Sequence, residues 1–444
     1  MKRASSPDRS SRSMVVRSII EEPPMSAPSP TSAAPRCPFV QGVAFDPFLP
    51  EQAGEPYSWL EAARESRPVF YWPQHDLWCV TRYDDINAIM RDPANFSNRK
   101  TINFQNMSDE FAAAFPEGRP DRVLVTLDPP EHGRLRRLAQ AAFSPKLIES
   151  HRLQVRATCQ ALLAEFETGG QGDLVAGYAD RLPVQIITQL IGAPPERASF
   201  FRQWALDRLI MLKGAPDFSA SEREALIARA IEFNRWLADF VEERRDRPCD
   251  DMASALVHAR TAEGDSALTI QEILGLIATI VSAGSTSTAH LIAMMFRELL
   301  TNRDQWEELI HDRSLVKNAI EETLRIRTPV HGVLRTTTRE VEIRGVTIPA
   351  EADVYLYYAS AQRDTDIFVD PDRFDIHRHD VARHMAFGRF VHVCLGASLA
   401  RLEAEETLNA FLDRLPQLSL VEDQRSEWTP NILSPGLKAL LVRW

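Results

Sequence analysis

One stretch near the C-terminus, residues 386–401, constrains the fold of this chain more than any other. It contains Cys394, and after the cysteine, leucine and phenylalanine residues recur at the spacing of an amphipathic helix. The N-terminal amides and positive dipole end of such a helix favour the thiolate form of the sulfur, which is the form that binds metal ions. The pattern therefore predicts that Cys394 is a metal-bound thiolate. The alternative is that Cys394 is a small, buried and unreactive residue, as free cysteines commonly are.

The same stretch resembles the haem loop of the cytochrome P-450 superfamily, in which phenylalanine, glycines and a basic residue surround the cysteine that binds iron. The matching residues are Phe387, Gly388, His392, Cys394 and Gly396. Phe390 stands where the family usually has a second glycine. The resemblance implies a haem b cofactor (iron protoporphyrin IX) that these loop residues contact, with Cys394 as its axial iron ligand and O2 as the co-substrate.

Three basic side chains are expected to hold the two propionates of that haem. His132 and Arg136 lie four residues apart in a helix that we predict to begin near Asp128 as its N-cap, so the two side chains share one face. The family assigns such a pair to one propionate and an arginine that matches Arg335 to the other. Arginine and histidine are suitable donors for a carboxylate. The alternative, a solvated basic face, fits the neighbouring arginines better.

A long central helix is predicted where Thr269 and Glu272 form a capping box ahead of an extended apolar pattern. Its middle, residues 282–288, is a cluster of small and hydroxyl residues that predicts a local bend. In this cluster Ala283 and Gly284 are expected to leave room for a flat ring and dioxygen. The alternative is that these small residues allow close packing against another helix.

The same cluster departs from the family at the residues that deliver protons. The family usually has an acid followed by threonine there, and alignment through Ala283 and Gly284 puts Thr286 and Ser287 at those places. Ser287 keeps a hydroxyl that can position water for a proton relay, whereas Thr286 cannot act as a carboxylate. We therefore expect a water chain or a polar group of the substrate to replace the acid, or else some uncoupled turnover. Thr288 is the next candidate if Ser287 is not the relay.

A glutamate and an arginine three residues apart, Glu322 and Arg325, lie on a predicted helix upstream of the haem loop. Such a pair alone is weak evidence for a specific role, because many exposed helices contain a glutamate and an arginine at this spacing. Together with Arg378 and the downstream loop it resembles the family's triad of one glutamate and two arginines, which braces the loop. The expected role of the three residues is structural.

Substrate contacts are expected from the distal pocket of the family. The stretch 98–123 covers that pocket in the family and contains Phe104 and Met107; simple loop packing is the alternative. Two helical patterns, 196–212 and 222–244, resemble the family's paired lid helices, and hinged lids commonly gate access. The other candidates implied by the resemblance are Leu209, Val330, His331, Val333 and Leu433.

Composition narrows the class of protein further. The formal net charge of -11 argues against a nucleic-acid binder, and five scattered cysteines without paired spacing suggest a reducing compartment. No run approaches the roughly 18 to 20 apolar residues that span a bilayer, so we expect a soluble, cytoplasmic protein without a membrane anchor. Residues 1–36 are rich in serine, proline and arginine and are expected to be a disordered extension, followed by one domain over 37–444.

The resemblance implies a mainly α fold with small β-sheets, a single large cytochrome P-450 fold with a long central helix over the haem. The implied activity is monooxygenation of a small, mostly apolar organic molecule, in which one oxygen atom of O2 is inserted and the other is reduced to water. A thiolate ligand pushes electron density onto haem iron and favours O–O cleavage. Two alternatives stay open: a peroxide-driven or non-oxygenating haem-thiolate enzyme, and a haem-based gas sensor, for which an output domain is lacking.

Electrons are expected to come from another protein, because the sequence has no glycine-rich dinucleotide fingerprint and no iron–sulfur set of cysteines. The expected partners are a ferredoxin and an NAD(P)H-dependent ferredoxin reductase. A basic patch near the cysteine-side face of the haem is predicted to steer an acidic ferredoxin, and ordinary solvated surface is the alternative. The residues of this predicted patch are Arg134, Arg137, Arg389 and Arg401.

Overall fold

The computed structural model describes residues 45–101, 123–212, 218–260 and 268–444. These residues belong to one compact unit, Pro35–Trp444. Three predictions fall outside the described residues: the extension at 1–36, the pocket candidates Phe104 and Met107, and the side chain of Leu209.

The described part of the chain is mainly helical, as predicted. Its α-helices are α1 Tyr57–Ser66, α2 Tyr83–Met90, α3 Glu131–Gln140, α4 Pro145–Ser150, α5 Arg152–Phe166, α6 Leu182–Ile191, α7 Ala198–Leu212, α8 Ala220–Asp246, α9 Met252–Val257, α10 Ile270–Thr301, α11 Arg303–His311, α12 Val316–Ile326, α13 Tyr358–Ala361 and α14 Ala397–Arg414. The two expected lid helices are α7 and α8, and a capping box of Ser219 and Glu222 begins the second of them.

Small sheets lie beside the helices in the described residues. The strands are β1 Val69–Trp72, β2 Leu77–Val80, β3 Phe96–Ser97, β4 Gln171–Asp173, β5 Gly332–Thr337, β6 Val341–Ile343, β7 Val346–Ile348, β8 Asp353–Tyr357, β9 Ser419–Leu420 and β10 Leu441–Arg443. The largest sheet has the order β1-β2-β8-β5-β3, in which β2 and β8 are parallel and the other pairs antiparallel. Strand β10 joins β4 to β9, and β6 pairs with β7.

The central helix α10 contains 32 residues, which at 1.5 Å per residue is roughly 48 Å of helix. The predicted capping box is present: the Glu272 amide donates to Thr269 Oγ1 at 3.2 Å, and the Thr269 amide donates to Glu272 Oε2 at 2.8 Å. Ile277, Val281 and Phe296 of this helix have no exposed area. Among the described residues α10 alone is long and apolar enough to cross a membrane, but 56% of its apolar window is buried inside the protein, as in core helices.

The middle of α10 is continuous helix, in which the hydroxyls of Ser282, Ser285 and Ser287 each donate to the carbonyl four residues earlier. Such bonds often bend helices, and the local bend stays a prediction. One local prediction needs correction. The Asp128 side chain is not the N-cap of α3. Its carboxylate instead accepts from the Asn98 amide at 2.9 Å and from the Ser97 hydroxyl, so it fixes the end of β3.

Candidate functional site

A tight loop over residues 385–396, the cysteine loop, presents Cys394 just before α14. The Cys394 amide donates to the Phe387 carbonyl at 2.7 Å, and the Gly388 amide donates to the Met385 carbonyl at 2.9 Å. Gly388 has a φ of 66°, and a Cβ on it would lie 3.2 Å from the His392 carbonyl oxygen, so this turn needs glycine. The loop folds back on itself and leaves the sulfur in front of the first turn of α14.

The surroundings of the Cys394 sulfur act on its charge in two directions. Burial raises the pKa of the thiol, while hydrogen bonds from the Gly396 and Ala397 amides and the charges of Arg136 and Arg401 act to lower it. Cys394 nevertheless has substantial accessible area. The sulfur thus opens into a recess that the protein surrounds. A metal cation in front of the sulfur would supply the charge that holds it as thiolate.

Phe390 keeps the backbone conformation that a glycine would take there. Its φ is 55°, in the left-handed region that costs a residue with a side chain about 1 to 2 kcal/mol. The ring is 38% exposed and the Arg91 guanidinium lies over it at 4.8 Å from the centroid. The bulky side chain is therefore accommodated at the surface of the loop, and the fold of the loop is kept.

We expect Phe390→Gly to be more stable than Phe390→Ala by about 1 kcal/mol, because only glycine removes the left-handed strain after the ring is lost. The measurement is the free energy of unfolding of the two variants in denaturant. At Leu153, which is 74% exposed within α5, the same two substitutions should rank in the opposite order. Equal stability of the two Phe390 variants would contradict a strained backbone.

Four basic side chains lie together at the cysteine loop, and they come from three distant parts of the chain. His132 stacks against His392 with ring centroids 4.1 Å apart. Arg136 donates to the Val393 carbonyl at 2.6 Å. Burial, together with smaller contributions from the charges of His132, Arg335 and Arg136, lowers the pKa of His392 to about 3. Burial also lowers the pKa of His132, so both imidazoles are neutral near pH 7.

This basic cluster fits a group with two carboxylates. The Nε2 atoms of His132 and His392 are buried and have no hydrogen-bond partner among the described residues. Arg335 is 5% exposed and donates to the Leu334 carbonyl at 2.7 Å, and no described carboxylate forms an ion pair with it. Buried donors of this kind normally have partners. Together with the sulfur, the set matches what haem propionates and haem iron require.

The triad predicted from the sequence is assembled in the core. Both carboxylate oxygens of Glu322 accept from Arg325 at 2.7 Å, and Oε1 also accepts from Arg378 Nε at 3.0 Å. Glu322 has no exposed area, and Arg325 and Arg378 are 1% and 8% exposed. The free guanidinium hydrogens bind backbone carbonyls, among them those of Gln362, Pro371 and Val369. The three residues thus tie α12 to the segment that leads into the cysteine loop.

A second clamp, which the sequence reasoning missed, begins one residue earlier at Glu321. Its carboxylate accepts from Arg401 Nε at 2.6 Å and Nη2 at 2.8 Å, and it lies 2.8 Å from His384 Nε2. The Ala386 amide donates to the other ring nitrogen of His384 at 3.2 Å, and the Arg401 guanidinium lies 4.4 Å from the Phe387 centroid. Glu321 therefore holds both ends of the cysteine loop against α12.

We expect this Glu321 clamp to stabilise the protein in a pH-dependent way. Burial alone would raise the pKa of Glu321, but hydrogen bonds from Arg401 and His384 hold it at about 2, below its ordinary value of 4.5. A lowered carboxyl pKa gives stability that is full above pH 4.5 and is lost as the pH falls toward 2. Glu321→Gln should lose about 2 to 3 kcal/mol of unfolding free energy at pH 7 and progressively less below pH 4.5.

The measurement for Glu321→Gln is urea unfolding at several pH values, compared with wild type. Asp413→Asn is the control, because Asp413 is paired with Arg313 but its side chain is 70% exposed, and exposed pairs contribute little. A difference between wild type and Glu321→Gln that stays constant down to pH 2 would contradict the clamp.

One face of the central helix α10 contains Thr279, Ala283 and Ser287, four residues apart and all partly or fully accessible. The Ser287 hydroxyl donates to the Ala283 carbonyl at 2.7 Å. Thr286 is half-buried, whereas Thr288 is 4% exposed and thus faces the protein interior. Thr286 and Ser287 lie three and four residues after Ala283 and both share its face, whereas Thr288 does not.

Gly284 packs against another helix. A Cβ at Gly284 would lie 2.6 Å from Ile187 Cδ1 of α6. This contact favours the alternative of close helix packing, and the space for a flat ring at Gly284 stays a prediction. Ala283 is exposed and keeps that expectation open.

Several pocket candidates are neighbours in the structure. The His331 amide donates to the Leu433 carbonyl at 2.7 Å, which joins the start of β5 to the loop before β10. Val330, Val333 and Leu433 are each half-buried, whereas His331 is 6% exposed. Ser434 Oγ lies 3.1 Å from His290 Nδ1 of α10, so the group lies beside the central helix.

The predicted basic patch is largely engaged in internal contacts. Arg134 forms an ion pair with Glu272 at the start of α10, and Arg401 is held by Glu321. The Arg389 guanidinium donates to the Arg383 carbonyl and lies 5.2 Å from the Tyr83 ring centroid. Arg137 is exposed. The patch is therefore weaker than four free arginines would make it.

Comparison with known proteins agrees with this geometry. A family model described as cytochrome P-450 matches residues 217–437. The chain is 34% identical over 400 residues to the cytochrome P-450 monooxygenase PikC of Streptomyces venezuelae, which covers 88% of this chain and 92% of the relative. It is 34% identical to the 6-deoxyerythronolide B hydroxylase of Saccharopolyspora erythraea, over 87% of this chain and 95% of the relative.

Solved structures show the same likeness in three dimensions. The crystal structure of the P-450 haem domain of Tepidiphilus thermophilus matches with a TM-score of 0.82 at 30% identity, over 90% of this chain and 96% of that one.

Proposed function

Since the chain belongs to the cytochrome P-450 family and is a haem monooxygenase, we propose that Cys394 is the iron ligand and that an external ferredoxin supplies the electrons. The reaction would insert one oxygen atom of O2 into a small organic substrate. The single observation that carries the proposal is the Cys394 sulfur, which lies in front of α14 and accepts from the Gly396 and Ala397 amides. We also propose that the enzyme works in the cytoplasm.

Haem iron, when bound, supplies oxygen-activating chemistry, which a thiolate ligand favours by donating electron density. The residues of the chain have separate tasks around it. Arg136, Arg335 and the two neutral imidazoles of His132 and His392 would hold the propionates by charge-assisted and neutral hydrogen bonds. The Glu322 triad and the Glu321 clamp would fix the cysteine loop, so that the sulfur is held in one position.

The proposed electron donor is a ferredoxin reduced by an NAD(P)H-dependent reductase. The chain has neither a dinucleotide fingerprint nor an iron–sulfur set of cysteines, which supports a separate donor. Arg91 is exposed and its guanidinium lies over the Phe390 ring of the cysteine loop, so it is a candidate for contact with an acidic partner. Because Arg134 and Arg401 are paired internally, we assign them no docking role.

One assay separates this proposal from its rivals. With NADH, a ferredoxin and its reductase, a monooxygenase consumes NADH in a substrate-dependent way and forms an oxygenated product. A peroxide-driven enzyme would form product with hydrogen peroxide alone and gain nothing from the ferredoxin. A gas sensor would bind ligands at haem without substrate-dependent NADH consumption. Product that forms only with peroxide would overturn the proposed electron route.

We propose that the Ser287 hydroxyl would hold a water molecule that donates protons to O2. Its hydrogen is given to the Ala283 carbonyl, which leaves its lone pairs to accept from a water molecule. We expect Ser287→Ala to raise the hydrogen peroxide released per NADH and to lower product per NADH by about tenfold. Thr286→Ala, one residue away, should have a smaller effect. If peroxide and product yields are unchanged in Ser287→Ala, the hydroxyl is not part of the relay.

A further inference from the structure

A buried arginine on the lid helix α7 has no acidic partner. Arg208 is 2% exposed. Its guanidinium donates to Ser282 Oγ at 3.0 Å and to Thr279 Oγ1 at 3.5 Å, both on α10, and no described carboxylate forms an ion pair with it. Burial lowers the pKa of Arg208 to about 10, so the side chain is still positively charged near pH 7.

The surroundings do not neutralise this charge. The adjacent Asp207 is committed elsewhere, since its carboxylate accepts from Arg229 at 2.5 and 2.9 Å and from Gln203 at 2.8 Å. The hydroxyls of Thr279 and Ser282 already donate to carbonyls of their own helix, and they offer only neutral acceptors. A buried charge is costly unless it is paired, so the position of Arg208 calls for an anion that is not part of the described chain.

The position of Arg208 relates it to the proposed reaction site. Thr279, which it contacts, lies on the same face of α10 as Ala283 and Ser287. From residue 279 to residue 287 the helix rises about 12 Å. Ser282, the closer contact of Arg208, lies five residues before Ser287, which is about 7.5 Å of helix. An anion held by Arg208 would therefore lie about 7 to 12 Å along the helix from the turn that carries the proposed proton relay.

We propose that Arg208 binds an anionic oxygen group of the substrate, a carboxylate or a phosphate monoester at one end of an otherwise apolar body. The guanidinium fork matches the planar or tetrahedral oxygens of such groups. The inference rests on the proposed function, because it takes the Ser287 turn as the place of oxidation. It makes the substrate an anionic amphiphile, oxidised about 7 to 12 Å from its charged end, and it adds a charged end to the mostly apolar molecule expected from the sequence.

The test compares decanoate, decyl phosphate and decan-1-ol as ligands of the holoenzyme, with dissociation constants from the shift of the haem Soret band. We expect wild type to bind one of the two anions about tenfold to hundredfold more tightly than the alcohol, and the tighter anion identifies the group. Arg208→Gln should lose this preference while its affinity for the alcohol changes less than about twofold. Arg208→Lys should keep part of the preference.

Two controls separate a binding role from a structural one. Arg202→Gln alters an exposed arginine of the same helix and should leave all three affinities unchanged. The unfolding midpoint of Arg208→Gln should not fall below that of wild type, because the substitution removes an unpaired buried charge. A lower midpoint together with an unchanged preference for the anion would overturn the proposal.

The outcome is distinct from that of the proposed function. The wild-type protein could form product with NADH and ferredoxin and still bind the anions and the alcohol with equal affinity. That result would contradict the Arg208 inference and leave the proposed function in place. The rise in the unfolding midpoint on ligand addition compares the anions with the alcohol without use of the haem. Failure to bind haem would therefore contradict the proposed function, while this second measurement still decides the Arg208 inference.

Discussion

Glu322→Ala is expected to destabilise the protein by about 3 to 5 kcal/mol, because it leaves two buried guanidinium groups without their carboxylate. Arg325 and Arg378 both bind Glu322 at 2.7 to 3.0 Å, and neither is accessible enough for water to replace it. The Asp375 amide would lose its acceptor as well. Since a domain is typically stable by only 5 to 15 kcal/mol, the variant should express poorly and lose haem.

The measurements for Glu322→Ala are haem content after purification and the free energy of unfolding. Glu307→Ala is the matched control: it removes a glutamate that pairs with Arg303 on the surface, with a side chain that is 59% exposed. That change should stay within about 0.5 kcal/mol of wild type. Normal haem content and stability in Glu322→Ala would show that the triad does not brace the loop.

Cys394→Ala is expected to abolish product formation with NADH and ferredoxin, while the chain still folds. The alanine removes the proposed iron ligand but keeps the loop, because the Cys394 contact that shapes it is the backbone bond to Phe387. Without the sulfur, haem would be held by the basic cluster alone and should be lost on dilution or gel filtration.

Cys249→Ala is the control for Cys394→Ala. Cys249 is also exposed and lies in the loop before α9, far along the chain from the cysteine loop. Its replacement should leave activity and haem content at wild-type values. Wild-type product formation by Cys394→Ala would remove Cys394 from the reaction.

Much of the fold follows from the sequence because local signals agree with the tertiary structure. The capping box of Thr269 and Glu272 begins α10 as predicted, since both of its hydrogen bonds depend only on residues near in sequence. The short spacing of Glu322 and Arg325 likewise puts them on one helix face. The likeness of the cysteine loop to a known pattern then supplied the fold, and the comparisons confirm that fold.

The rest depended on contacts between residues that are far apart in sequence. Nothing near Glu321 predicts that its partners are His384 and Arg401. The packing of Ile187 against Gly284 could not be read either, because a glycine in a helix has the same appearance whether it faces a ligand or a neighbouring helix. No pattern in the sequence singles out Arg208, since the absence of an acidic partner among the described residues is a property of the folded core.

The ferrous carbonyl spectrum tests the central claim, that Cys394 is the thiolate ligand of haem iron, most directly. The wild-type protein, reduced under carbon monoxide, should show the strongly red-shifted Soret band that marks thiolate ligation. In Cys394→His, which keeps a ligand at the same place but replaces sulfur by nitrogen, this band should be absent and a band at shorter wavelength should replace it. A red-shifted band that persists in Cys394→His would contradict the assignment.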